Sequence, residues 1–280
     1  MGRKSLDAEL NAAKSVAAKA GLGAIDPEVL RLAKHTTVRL APHPIVARIR
    51  SVGSADDMRE SLARELAIAS QLAVRAAPTV RPTARVDAGP YLEDGCAITL
   101  WEFVAGRHAE SEADALLAAR ALLRVHEALQ HIEADLPPFT AAIHACEAIL
   151  ADPAEAPMLA ANDRQFLQRL YADLRQELDG YELASRPLHG DTHLANVLIT
   201  GSGAVWMDLE AVCMGPLEWD VVTLPASARS EFKDIDPDLI RLLSSLRSLG
   251  VSTWCWVDFD RSSDVSEAAI YHLDRLKRRF

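Results

Sequence analysis

Two adjoining stretches decide the reading of this chain: Leu188-His189-Gly190-Asp191-Thr192-His193-Leu194-Ala195-Asn196-Val197-Leu198-Ile199-Thr200 and Gly201-Ser202-Gly203-Ala204-Val205-Trp206-Met207-Asp208-Leu209-Glu210. Val197 to Thr200 and Ala204 to Met207 are β-type runs, and Gly201-Ser202-Gly203 between them is a three-residue hairpin signal. A hairpin symmetric about Ser202 sets Asn196 directly opposite Asp208. Facing residues of an antiparallel pair have Cβ atoms about 5 Å apart and project from one face. An amide oxygen and a carboxylate at that separation can share one hard cation, and magnesium prefers such oxygens together with water and phosphate oxygens. Asp191 precedes them in the loop that feeds the first strand. Taken singly, Asp191 also reads as a loop or helix cap and Asn196 as a turn residue; it is Asp208 at the mirrored end of the hairpin that speaks for a site.

Outward from this stretch, composition narrows the class. The 280 residues are 49% hydrophobic and 25% charged, as in a folded globular protein, and the length suits one large domain or two coupled lobes. A formal charge of -10 argues against nucleic acid as a partner. The acidity suits a cationic small molecule or simply serves solubility. The four cysteines include no C-x-x-C pair, which reads as reduced thiols in a cytoplasmic protein. Met1 to Gly21 lacks the apolar core of a secretory signal, and no apolar run is long enough to span a membrane. Nothing in the sequence sets an oligomeric state.

Along the chain, Leu6 to about Ala20 reads as a helix stopped by Gly21-Leu22-Gly23, and Asp26-Pro27 as the cap and first turn of a short helix through about Ala33. Thr36 to Leu40 and Ile45 to Ile49 read as strands, which places Arg48 among apolar residues. Ser54-x-x-Asp57 opens a helix to about Arg75 whose stripe is Met58, Leu62, Leu66, Ala69 and Leu72. Glu65 falls inside that stripe, so it either pairs with Arg48 or snorkels at the edge. Pro78 to Pro90 reads as irregular or extended, Ala97 to Phe103 as a strand, and Glu110 to about Glu133 as a helix with His126 on its apolar face as a core histidine. Helices follow over Pro138 to Leu150 and Asn162 to Leu178. The alternating Trp254-Cys255-Trp256-Val257-Asp258-Phe259-Asp260 reads as either a cation-binding wall or core aromatics, and Tyr271 to Phe280 as a basic-ended helix.

His189-x-Asp191-x-x-x-x-Asn196 with Asp208 resembles the catalytic loop and metal motif of the aminoglycoside phosphotransferase and choline kinase family, relatives of the protein kinases. Leu-His-Gly-Asp followed by Asn-Val-Leu is specific to that group, and the likeness spans about Val38 to Asp220. It implies an α+β, bilobal protein-kinase-like fold: a small mixed β-sheet N-lobe binding nucleotide (1–103, with N-terminal helices) and a larger, mainly helical C-lobe binding the acceptor (104–280). It also implies a magnesium-dependent enzyme moving the γ-phosphate of ATP or GTP to a hydroxyl of a small molecule, an aminoglycoside or other hydroxylated amine. The alternative is a catalytically silent nucleotide-binding protein on the same fold.

By this resemblance Asp191 is the catalytic base, or at least accepts the acceptor hydroxyl's hydrogen bond, and Asn196 and Asp208 hold Mg2+. Arg48 stands where the family often has lysine, Glu65 is its helix partner, Glu102 and Val104 meet the purine, and His189 and Asp220 brace the loop. His193 reads as loop packing or a substrate contact. One departure is that no glycine-rich phosphate loop lies between Ala33 and Pro44, where His35-Thr36-Thr37 stands instead.

Overall fold

The computed structural model describes residues 4–33 and 35–280; residues 1–3 of the predicted N-lobe, and Lys34 within the stretch that lacks a glycine loop, lie outside the described residues. In chain order the elements are α1 (Leu6–Lys19), β1 (Asp26–Leu32), β2 (Thr36–Ala41), β3 (Ile45–Arg50), α2 (Ala55–Val74), β4 (Tyr91–Glu93), β5 (Cys96–Glu102), β6 (Arg107–His108) and α3 (Glu112–Leu129). There follow α4 (Thr140–Ala151), α5 (Ala161–Leu178), β7 (Arg186–Leu188), β8 (Val197–Thr200), β9 (Gly203–Trp206), β10 (Cys213–Gly215), α6 (Glu218–Val221), α7 (Ala226–Arg229), α8 (Pro237–Val257) and α9 (Ser263–Arg279). The chain forms two compact units, Met1–Ala134 with His193–Val212, and Asp135–Thr192 with Cys213–Phe280. The first unit runs past residue 103 because α3 packs on β9, and it takes in His193–Val212 because β8 pairs with β6.

In the first unit a five-stranded sheet has the order β1-β2-β3-β5-β4. Every pair in it is antiparallel, so the sheet is not mixed; β2 reaches β3 through only a few residues, too short for a parallel crossover. Val38, Leu40, Ala47, Ile49, Ile98 and Leu100 form a core with Ala12, Ala13, Val16 and Ala17 of α1. Cys96 to Trp101 of β5 are all buried because its other face meets α2, where Ala97 packs with Met58 and Leu62. Ser54 caps α2 by accepting the amide of Asp57 at 3.2 Å.

Asp26 to Leu32 is a strand, not the short helix expected from Asp26-Pro27. The proline sits at the start of an edge strand, where its missing N–H costs nothing, and the segment gains more by pairing with β2 than one turn of helix would. A bulge interrupts this pairing, since Val29 faces Val38 but Arg31 faces Thr37.

The Asp114 carboxylate closes a capping box on Ser111 and accepts both Arg107 guanidinium nitrogens at 2.7 and 2.8 Å. The Arg107 hydrogen bonds, with the amides of Glu110 and Ser111, hold its carboxyl well below the usual range. A depressed acid stabilises the fold in full above its unfolded pKa, about 3.9, and that contribution is lost as pH falls through the folded value. The acid limb of a stability-versus-pH curve is therefore expected to flatten in Asp114→Asn below about pH 4, as followed by urea unfolding.

The second unit is built around α8, which packs against α4, α5, α6 and α9 and buries Leu242, Leu243, Leu246 and Leu249. Asp236 caps α8, with Pro237 in its first turn. Trp254 to Val257 continue this helix, so the alternation does not build a wall. Residues two apart on a helix point roughly 200° apart; Trp254 is 44% exposed while Trp256 is buried and stacks on Phe259 with ring centroids 4.4 Å apart. The C-terminal segment is α9, ending in Lys277, Arg278 and Arg279. No described helix is long and apolar enough to cross a membrane.

Candidate active site

In the first unit the site starts from Arg48 on β3. Its neighbours Ala47 and Ile49 enter the α1-side core, so alternation sends Arg48 to the other face, between Thr37 of β2 and Thr99 of β5. There it donates to Glu65 of α2, so of the two readings that the helical stripe left open for Glu65 the buried pair is the one formed. Its other terminal nitrogen donates to Asp208 Oδ1 at 2.6 Å and lies 3.5 Å from Glu210 Oε2. Glu65 Oε1 also accepts the amide of Leu209 at 3.1 Å, tying α2 to the turn after Asp208. Burial drives the Glu65 carboxyl above the ordinary range, against the pull of Arg48. Burial also disfavours the Arg48 charge, yet Asp208, Glu65 and Glu210 outweigh it and hold that guanidinium above its usual pKa. A buried ion of this kind persists only while its partners stay in place.

Asn196 ends a single 3-10 turn, Leu194–Asn196, whose last amide donates to His193 O at 2.9 Å. The hairpin register differs by one from the symmetric expectation. Thr200 pairs with Gly203 and Val197 with Trp206, so the turn is the two residues Gly201-Ser202 and Asn196 O accepts the amide of Met207 at 3.0 Å. Gly203 has φ 124, a conformation that lets the chain resume pairing immediately after the turn. Asp208 therefore lies one residue beyond the position facing Asn196, in a left-handed conformation with φ 67. A non-glycine residue there is strained, and aspartate is among the side chains that tolerate it.

These two residues fit a hard cation by their chemistry. Asn196 Oδ1 accepts from Arg31 at 3.3 Å and Asp208 Oδ1 from Arg48, so both oxygens already face positive charge. Among the described residues no group of three or more His, Cys, Asp or Glu has metal-holding geometry.

Glu102 ends β5 opposite Ile45, three positions along from the Arg48–Thr99 pair, or roughly 10 Å at strand rise. Its amide donates to Arg81 O at 2.9 Å, and Glu102 and Val104 line a cavity of about 500 Å3 with Thr79, Arg81 and Leu117.

In the second unit β7 delivers His189-Gly190-Asp191-Thr192. The fully buried Asp220 accepts the amides of His189 and Gly190, each at 2.8 Å, one on each carboxylate oxygen. The Thr192 hydroxyl bonds Asp220 O and lies 2.8 Å from that of Thr223. Asp191 N donates to His189 Nδ1 at 3.3 Å, which makes Nδ1 an acceptor. Gly190 has φ 87, a left-handed backbone in which a residue with a side chain would be strained.

Four participants escape the sequence reading: Arg31 on Asn196, Arg247, Glu210 and His35. Arg247 of α8 donates to Gly190 O and Trp219 O, both at 2.8 Å, with its guanidinium 3.6 Å over the Trp219 ring. Burial lowers its pKa, while Asp191 and Asp220 pull the other way. No local pattern marks a residue 57 positions from its partner. Glu210 meets His35 Nε2 at 2.7 Å, and here signals do exist: an acid two places after Asp208, and a histidine where glycine is expected.

The phosphotransferase enzyme family model, APH, matches residues 19–272. Comparison with curated proteins returns no match. Among solved structures, choline kinase LicA from Streptococcus pneumoniae superposes with a TM-score of 0.68 at 15% identity, covering 95% of this chain and 97% of that one. The microcompartment-associated aminopropanol kinase gives 0.68 at 17%, covering 93% and 94%. The GDP and kanamycin complex of APH(2")-IIia gives 0.67 at 14%, covering 96% and 99%. These likenesses show a protein-kinase-like fold, and the family match over most of the chain gives the rest. The chain belongs to the phosphotransferase enzyme family and is a small-molecule kinase.

Proposed function

We propose that the chain moves the γ-phosphate of ATP or GTP to a hydroxyl of a small hydroxylated amine, with Asp191 accepting the hydroxyl's hydrogen bond as catalytic base. The observation that carries this is Asp208, held in a strained backbone and paired to the buried Arg48–Glu65 couple one residue beyond the partner of Asn196. Asn196 and Asp208 would hold Mg2+, which neutralises developing charge and orients the triphosphate when bound. Arg48 keeps its charge in any pH range and forks to phosphate. Glu102 and Val104 offer backbone groups to the purine, and His189 with Asp220 shapes the loop that presents Asp191. On this reading residues 1–103 take the nucleotide, residues 104–280 carry catalysis and the acceptor, and the enzyme is cytoplasmic. The amine class draws support from the solved relatives named for choline, aminopropanol and a kanamycin complex, and from the net charge of -10.

A second reading, a silent nucleotide-binding protein, is favoured by one observation: the Arg31 and His35 contacts already engage Asn196 and Glu210 where a glycine loop would leave open space. A nucleotide-consumption screen separates the two. ATP and GTP with Mg2+ are tested over aminoglycosides, macrolides, amino alcohols and sugars, alongside calorimetric nucleotide titration. Turnover with an amine-bearing acceptor is the expected result; tight binding without turnover across the panel would favour the silent protein.

A further inference from the structure

Arg31 occupies an unusual position. The bulge at Leu30 adds one residue to β1, and such bulges re-aim the side chains that follow. Beyond it Arg31 leaves the exposed apolar company of Val29, Leu30 and Leu32 and donates through Nη1 to Asn196 Oδ1 at 3.3 Å. That partner is a neutral amide at a long distance, a weak use of a guanidinium. The carboxylates of Asp208, Glu65 and Glu210 are already gathered around Arg48, and Glu210 also takes His35.

We propose that Arg31 is a nucleotide-phosphate ligand standing in for the absent glycine-rich loop, resting on Asn196 until metal and nucleotide arrive. The inference rests on the phosphotransfer reading above. A cation held by Asn196 Oδ1 would repel the guanidinium from that oxygen. The released side chain would then be free for phosphate oxygens, which accept parallel N–H groups far more strongly than an amide does.

The exchange has a signature that a merely structural residue lacks, because Arg31 would oppose metal alone and favour metal-nucleotide. Wild type, Arg31→Gln and Arg31→Lys are titrated calorimetrically with Mn2+ alone, with ATP or GTP in the presence of Mg2+, and with adenosine or guanosine. In Arg31→Gln triphosphate affinity is expected to fall about tenfold or more, since one charge-assisted hydrogen bond is lost. Nucleoside affinity should stay within about twofold, Mn2+ alone should bind more tightly, and Arg31→Lys should recover part of the loss. Unchanged triphosphate affinity, or a parallel loss for triphosphate and nucleoside at an unchanged Tm, would overturn the role of Arg31 and leave the phosphotransfer reading standing. Wild type that binds neither triphosphate would overturn both.

Discussion

Replacing Asp191 with asparagine is expected to lower kcat for phosphoryl transfer by about 10²- to 10⁴-fold, the range over which a positioned proton acceptor contributes. Asparagine preserves size and the backbone bond from residue 191 N to His189 Nδ1, and the loop itself is held by Asp220, so Tm should not move. Nucleotide affinity should also stay near wild type, because the nucleotide and metal roles are assigned to other residues. Single-turnover rates at saturating acceptor, read beside calorimetric nucleotide binding, test this. Wild-type kcat in the purified variant would remove Asp191 from its role. Asp208→Ala should differ in kind: it strips a proposed metal oxygen and a partner of Arg48, so triphosphate affinity and rate fall together.

The second large effect concerns Asp220→Ala. Its carboxylate satisfies two buried amides at once, and stranding each costs about 1–3 kcal/mol, so about 2–6 kcal/mol in all is expected. For a chain of this size that corresponds to a Tm lower by about 3–10 °C. The rate should suffer as well, because the backbone that presents Asp191 loses its anchor while Arg247 alone still holds Gly190 O. Scanning calorimetry and kcat together give the answer; a Tm within about 1 °C of wild type would mean that the clamp supports nothing.

The same few contacts explain what the sequence could and could not reveal. Helical patterning located α1, α2, α3, α4 and α5 to within a few residues, whereas α9 begins at Ser263, well before the expected Tyr271; the charge inside the α2 stripe left two readings for Glu65, and the pair with Arg48 is the one that forms. The motif from His189 to Asp208 was visible because its residues lie close together in the chain. Asp26-Pro27 misled because a proline suits the first turn of a helix and the start of an edge strand equally well; only the presence of β2 decides. The hairpin was offset by one because three small turn residues do not say which of them resumes pairing. Trp254 and Trp256 alternate like a strand, but four residues cannot outweigh the helical period of the preceding turns of α8. Arg247 and Arg31 act far along the chain from their partners, where no local period reaches.

The discontinuity of the first unit bears on how the protein is made. Its α3 is translated early, yet the Trp206 indole that donates to Ala118 O comes from 88 positions downstream, after all of Asp135–Thr192. At ordinary ribosomal speeds the apolar face of α3 waits several seconds for β9. The nascent first unit is thus an unfinished surface for that interval, a natural point for chaperone capture, and slow codons between α5 and β8 would lengthen its exposure.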